Sequence, residues 1–244
     1  EAVETRPDGR YDLHLNEGVE GPFDLVIGAD GAWARVREAL SDVTPVYTGV
    51  TFVERWLSDV DARHPALAAL VGHGSLFSLH DGAGIMAQRN GGGTIRVYAA
   101  FRTDPEDTDR PDKALAGITK EHLLARFEGW APSLLALITD ADRIAAVRPI
   151  MTLPPEQLRW PQKEGLTLVG DAAHVMPPLG VGVNLAMLDA AELAETLVSG
   201  VDWREAVRAY EDVMIARANE AAVEVNQAFG AWFASDGGLA VLEN

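Results

Sequence analysis

The chain has 244 residues and a formal net charge of −17, is 48% hydrophobic and 23% charged, and contains no cysteine. That length and apolar content are enough for a sizeable core, and the negative charge argues against nucleic acid and anionic membrane surfaces as partners. Without cysteine there is neither a disulfide framework nor thiolate chemistry; no apolar run spans a bilayer and nothing resembles a signal peptide, so a cytoplasmic location is expected.

In chain order, Tyr11, Leu13 and Leu15 alternate with polar neighbours behind a Pro7-Asp8-Gly9 turn. They predict a hairpin strand leading to a second strand over 23–27. That strand runs into Gly28-Ala29-Asp30-Gly31 and a brief helix over 34–40, giving a strand, tight turn, helix unit. From 46 to 102 the pattern has period two, with strands over 74–80, 84–89 and 94–102 joined by Asp81-Gly82 and by Asn90 to Gly93. Alternation puts Thr94, Arg96, Tyr98 and Ala100 on one face and Ile95, Val97, Ala99 and Phe101 on the other. A neighbouring strand offers Met86 and Gln88 together, and the preceding one offers Glu54. Helices follow over 121–129 and 132–139, the latter with Pro132 in its first turn, and 144–153 returns to extended chain. A strand over 166–169 opens a second α/β unit, and 202–233 is long enough for two or more helices. The fold class is mixed α/β (α+β), with domain boundaries at 1–45, 46–150, 151–200 and 201–244.

The second α/β unit carries the densest signal. Asp171 sits just past the carboxyl end of its strand, where open α/β sheets bind ligands, and its carboxylate suits a chain of hydroxyls. Pro177 and Pro178 stiffen the turn, while Gly180 and Gly182 allow a ligand close to the backbone. A helix beginning near Gly182 or Val183 turns free N–H groups and a partial positive charge toward that place. The same residues also fit a structural turn with Asp171 as an N-cap and the glycines as packing points. His174 suits support of the loop better than a general-base role, and the six histidines lack paired metal-ligand spacing, so no metal is expected.

Residues 170–193, GDAAHVMPPLGVGVNLAMLDAAEL, resemble the second flavin motif of the aromatic-hydroxylase (group A) family of FAD-dependent monooxygenases, and 28–37, GADGAWARVR, resembles the family's other internal motif. The resemblance implies FAD, with Gly170 and Asp171 at the ribityl chain and Pro177, Gly180, Val181 and Gly182 along the isoalloxazine. It places the N–H groups of the helix start, including Val183, near the pyrimidine carbonyl, with Asn184 supporting that turn, so that Pro177, Gly180 and Gly182 lie nearest the chemistry. Asp30 and Gly31 would lie by the pyrophosphate and the NAD(P)H approach, with Arg37 closing that motif through hydrogen bonds. Ala34 stands where the family commonly has Ser, removing one hydroxyl.

The implied activity is NAD(P)H-dependent oxygenation of an aromatic or polycyclic small molecule through a flavin C4a-hydroperoxide. The open sheet face either meets solvent or binds substrate through Glu54, Met86, Gln88, Arg96, Tyr98 and, from the motif, Pro178. The runs over 47–57 and 76–103 look most like the tetracycline-inactivating branch, although Glu54 replaces Gln, Ser75 replaces Arg and Arg96 replaces His. The family's Gly-x-Gly-x-x-Gly phosphate loop has no counterpart here, and the expectation is a carboxyl-terminal portion whose FAD-binding remainder comes from the same protein or a second chain. A halogenase or reductase of the same fold, or a binder of a planar compound without turnover, are the alternative readings.

Overall fold

The computed structural model describes residues 2–103 and 117–235. The chain divides into two compact units, one built from Glu1–Val46 and Met151–Gln227, the other from the described parts of Tyr47–Ile150 and Ala228–Asn244.

In the first unit, β1 (Ala2–Thr5), β2 (Tyr11–Leu15) and β3 (Gly18–Phe23) form an antiparallel sheet in that order. The strand expected over 23–27 is instead two elements. Phe23 ends β3 opposite Tyr11, whereas β4 (Val26–Gly28) pairs in parallel with β10 (Leu166–Leu168), so Asp24 and Leu25 carry the chain from one sheet to the other. Helix α1 (Arg35–Glu38) follows β4; α6 (Asp171–His174) and α7 (Gly182–Val198) follow β10.

The carboxyl-terminal helical pattern forms one helix, α8 (Trp203–Trp232), rather than two or more. No glycine or proline interrupts it before Gly230, and Val207, Tyr210, Met214, Ala218, Ala222 and Val225 are buried at three- and four-residue spacing. Tyr210 donates its hydroxyl to the Leu168 carbonyl at 3.0 Å, and burial raises its pKa.

Next to it, Glu211 is buried and accepts from Thr167 Oγ1 at 2.8 Å and Trp160 Nε1 at 3.4 Å. Burial outweighs these bonds and raises its pKa above the ordinary carboxyl value. A carboxyl raised on folding contributes stability below its unfolded pKa and loses it as pH rises through the folded one. Glu211→Gln is therefore expected to flatten the decline in unfolding free energy as pH rises above the ordinary carboxyl range, as read by urea titrations at several pH values; an unchanged slope would contradict the assignment.

The second unit is built on a five-stranded sheet in the order β6-β7-β8-β5-β9. Its strands are β5 (Val46–Leu57), β6 (Ser75–His80), β7 (Ala83–Asn90), β8 (Thr94–Arg102) and β9 (Arg143–Thr152). The three expected meander strands are present, turning through left-handed Asp81, Gly82, Gly92 and Gly93. The period-two stretch is interrupted, however, by α2 (Val60–Arg63) and α3 (Pro65–Val71). Pro65 starts α3, and the Ala- and Leu-rich run behind it buries Leu67 and Val71 one turn apart, which favours helix over strand. Helices α4 (Lys120–Arg126), opened by a Thr119 capping box, and α5 (Pro132–Thr139) complete the layer; α4 stops short of 129, the chain turning at left-handed Gly129. One sheet face forms the core: Val53, Leu57, Ile85, Ile95, Val97 and Ala99 pack on Leu123, Phe127, Leu137 and Ile138. The sequence-based segment 201–244 extends beyond the described residues at 236–244.

Among the described residues no helix is long and apolar enough to cross a membrane, and no group of three or more His, Asp or Glu is arranged to hold a metal ion.

Candidate functional site

In the first unit the two parallel strands end side by side, Val169 N–H donating to the Gly28 carbonyl at 2.9 Å. A Cβ on Gly28 would lie within 2.7 Å of Leu168 and Val36 side-chain atoms, so only glycine lets α1 pack against the strands. Asp30 caps α1: its Oδ2 accepts from the N–H of Arg35 at 2.6 Å and of Val36 at 3.3 Å. Ala34 at the N-cap provides no side-chain bond, and the Asp30 carboxylate takes over that role. Gly31 adopts a left-handed conformation with open space where a Cβ would be.

Arg37 is buried and donates to three carbonyls: Ala32 at 2.5 Å, Val43 at 3.2 Å and Ala172 at 2.7 Å. The last of these joins α1, behind β4, to α6, behind β10. Burial lowers the Arg37 pKa, opposed by the charges of Asp30 and Glu38. Arg37→Met keeps the stem but orphans buried carbonyls, and should destabilise the protein by about 3 kcal/mol. Denaturant melts test this; a loss below about 1 kcal/mol would mean that water replaces the guanidinium.

The second motif is held from beneath. Gly170 is left-handed, and a Cβ there would lie 2.9 Å from the Ala186 Cβ. Its N–H donates to Asp189 Oδ2 at 3.0 Å, and the same oxygen lies 2.6 Å from His174 Nε2. Arg217 donates to Asp189 Oδ1 at 3.0 Å and to both oxygens of Glu192. Burial works against the Asp189 anion, but the bonds from His174, Gly170 and Arg217 hold its carboxyl below the ordinary range. His174 is as buried as Asp189, and its Nδ1 has no partner among the described residues. This places His174 as a support of the loop, away from solvent.

Above this base, Asp171 is exposed and makes no hydrogen bond among the described residues. Its Oδ1 lies 3.9 Å from where a Cβ on Gly182 would stand, so the carboxylate faces the start of α7. That helix begins without a side-chain cap, and Leu185 N–H, bonded to the Val181 carbonyl at 3.1 Å, is the first satisfied donor. The N–H groups of Gly182, Val183 and Asn184 meet no acceptor among the described residues. Asn184 Nδ2 donates to the carbonyl of left-handed Gly180 at 3.4 Å. Pro177 is buried, its carbonyl accepting from Leu179 N–H at 2.8 Å, and Pro178 is exposed. A free carboxylate beside a row of free N–H groups matches a ligand with hydroxyls at one place and an electron-rich edge at the next.

In the second unit, the sheet face opposite the core holds Glu54, Met86, Gln88, Arg96 and Tyr98 together. One cross-strand row reads Ser75, Gln88, Arg96, Trp56; the next reads Phe77, Met86, Tyr98, Glu54. A third row, Leu79, Gly84, Ala100 and Phe52, ends at Phe52, which packs against Phe229 and Phe233. Glu54 accepts from Trp56 Nε1 and Arg148 Nε, both at 2.9 Å, and lies 3.4 Å from Arg96 Nε. Burial opposes its ionisation, yet Arg148, Trp56 and Arg96 together hold its carboxyl below the ordinary value. Pro178 belongs to the first unit.

The parallel strand pair, with an acid-bearing turn and an uncapped helix behind it, defines an α/β nucleotide-cofactor fold. A family model described as "FAD binding domain" matches residues 22–218, and the chain belongs to that family. "Monooxygenase penA" of Penicillium thymicola is 31% identical over 228 residues, covering 79% of this chain and 53% of its own. The HpxO structure from Klebsiella pneumoniae complexed with FAD and uric acid superposes with a TM-score of 0.79 at 22% identity, covering 99% of this chain and 60% of that one. Tetracycline destructase Tet(55) gives 0.66 at 23% identity, over 96% of this chain and 61% of its own. These structures share the fold. The chain spans about half the length of the first two curated relatives it matches, 53% and 48%. The resemblance read from the two motifs and the mixed α/β architecture are thus borne out.

The sequence reading missed Asp189, Arg217, Arg148 and Trp56. Asp189 had a legible signal: on α7 the buried residues are Leu185, Asp189 and Leu193, a charge in the middle of an apolar stripe at four-residue spacing.

Proposed function

We propose that this chain forms the flavin- and substrate-binding part of an FAD-dependent monooxygenase that consumes NAD(P)H and O2 and oxygenates an aromatic or polycyclic small molecule. The observation that carries this is the unpartnered Asp171 carboxylate facing the open N–H groups of α7, within a chain of the FAD-binding family. The residues fit the cofactor: Asp171 would accept from ribityl hydroxyls, and the N–H groups of Gly182, Val183 and Asn184 would be available to the electron-rich edge of the flavin ring. Gly180, Val181 and Pro177 shape the wall along it, and Pro178 stands on the substrate side. Asp30 and Gly31 lie toward the pyrophosphate, with Arg37 fixing their loop. FAD, when bound and reduced, supplies the oxygen-activating chemistry; the chain orients it and stabilises negative charge on the ring. The adenosine end is assigned to a segment outside these residues, in the same protein or in a second chain. Glu54, Met86, Gln88, Arg96 and Tyr98 form the substrate face.

The test is an absorbance spectrum of the purified complete protein, followed by NADPH and NADH oxidation with and without a panel of phenolic and polycyclic compounds. Bound flavin with substrate-stimulated oxidation is expected. A complete protein that neither carries nor can be reconstituted with FAD would overturn the reading.

A further inference from the structure

The turn that carries Asp171 does not set its own orientation. Its backbone closes on itself, with Ala173 and His174 N–H donating to the Gly170 carbonyl at 2.8 and 2.9 Å. Its two ends, Gly170 N–H and His174 Nε2, then converge on a single oxygen, Asp189 Oδ2. Asp171 stands between those contacts, so the direction of its carboxylate follows from where Asp189 is held. On α7, Asp189 precedes Glu192 by one helical turn, and like charges at that spacing repel. Arg217 answers the repulsion from α8. Its Nη2 donates to Asp189 Oδ1 at 3.0 Å, and Nη1 and Nη2 together grip both Glu192 oxygens at 2.9 and 2.8 Å. With Oδ1 claimed by Arg217, Oδ2 is the oxygen left to face the turn. The same helix grips β10 two turns earlier, Tyr210 donating to the Leu168 carbonyl at 3.0 Å and Glu211 accepting from Thr167 at 2.8 Å. Helix α8 thus acts as a splint that keeps the strand and the turn behind it in one register.

We propose that Arg217 is a positioning residue for the cofactor, acting through Asp189 on the turn over 170–174 and so on the carboxylate of Asp171. The inference rests on the assignment of Asp171 to FAD and adds to that site a residue outside both flavin motifs. Two roles for Arg217 have different consequences. A brace between α7 and α8 would be missed equally whatever stands at position 171, whereas a residue that aims the Asp171 carboxylate is missed only when that carboxylate is present.

The experiment titrates FAD into the complete apoprotein by flavin fluorescence, for the wild type, Arg217→Met, Asp171→Ala and the two substitutions combined. Arg217→Met is expected to weaken FAD binding about tenfold where Asp171 is present and less than about twofold where alanine replaces it. Arg217→Lys, which keeps a cation for Asp189 and loses the fork on Glu192, should reduce the loss to about threefold. Thermal melts without FAD establish that each form is folded at the titration temperature. Should Arg217→Met not be, Glu192→Gln cuts the relay at its far end and carries the same expected dependence on Asp171. Equal losses in the two backgrounds, or no loss in either, would overturn the proposal. Failure of the broader reading looks different: a wild type that takes up no FAD refutes the cofactor assignment, whereas a flavin-binding wild type whose Arg217 variants lose affinity regardless of residue 171 refutes only the relay.

Discussion

Asp189→Ala is expected to lower the unfolding free energy by about 3–5 kcal/mol, the loss typical of breaking a buried, hydrogen-bonded charge pair from one side. The side chain is 1% exposed and serves three partners at once: Gly170 N–H, His174 and Arg217. Truncation leaves Gly170 N–H without its acceptor beneath a left-handed glycine and removes the partner of buried His174. The pH dependence carries a second signature. Because the folded carboxyl has a lowered pKa, its stabilisation is present above the unfolded value and is lost as pH falls through the folded one. Wild-type stability should therefore fall off below about pH 4, and Asp189→Ala should flatten that limb. Urea titrations at neutral and acidic pH read both effects. A loss under about 1 kcal/mol with an unchanged acid limb would show that Arg217 and Glu192 pair without needing Asp189.

The parts of this molecule that were legible in the sequence are those set by local rules. The meander strands follow from strict alternation and from Asp-Gly and Gly-rich turns, and Pro132 marks the start of α5. The two glycine-bearing motifs were legible because their spacing is dictated by backbone approach, as Gly28 against Val36 and Gly170 against Ala186 show. What escaped was decided by tertiary partners. The chain crosses between sheets at Asp24 and Leu25 because Tyr11 claims Phe23 while Leu166 claims Val26. Helices α2 and α3 carry apolar residues that a period-two reading accepts as strand until the packing of Leu67 and Val71 is known. Arg148 joins Glu54 across 94 positions, a pairing that no local pattern announces.

Asp171→Ala is expected to do the opposite of Asp189→Ala: leave stability within about 0.5–1 kcal/mol of wild type while weakening FAD binding by about tenfold to a hundredfold. The two acids lie on one turn-and-helix assembly, but Asp189 engages both its oxygens inside the protein, and the Asp171 carboxylate engages neither among the described residues. An exposed carboxylate without internal bonds adds little to folding, so its removal should be felt only where it meets a ligand. If its role is to accept hydroxyls beside the N–H groups of α7, Asp171→Asn, which keeps one acceptor oxygen and loses the charge, should fall between wild type and alanine in FAD affinity. Flavin fluorescence titration of the apoprotein, together with thermal melts in the absence of FAD, separates the effects. Unchanged affinity in both variants would remove Asp171 from the cofactor site and leave it a surface residue at a turn. A large stability loss without FAD would mean that the carboxylate braces the start of α7 rather than serving a ligand.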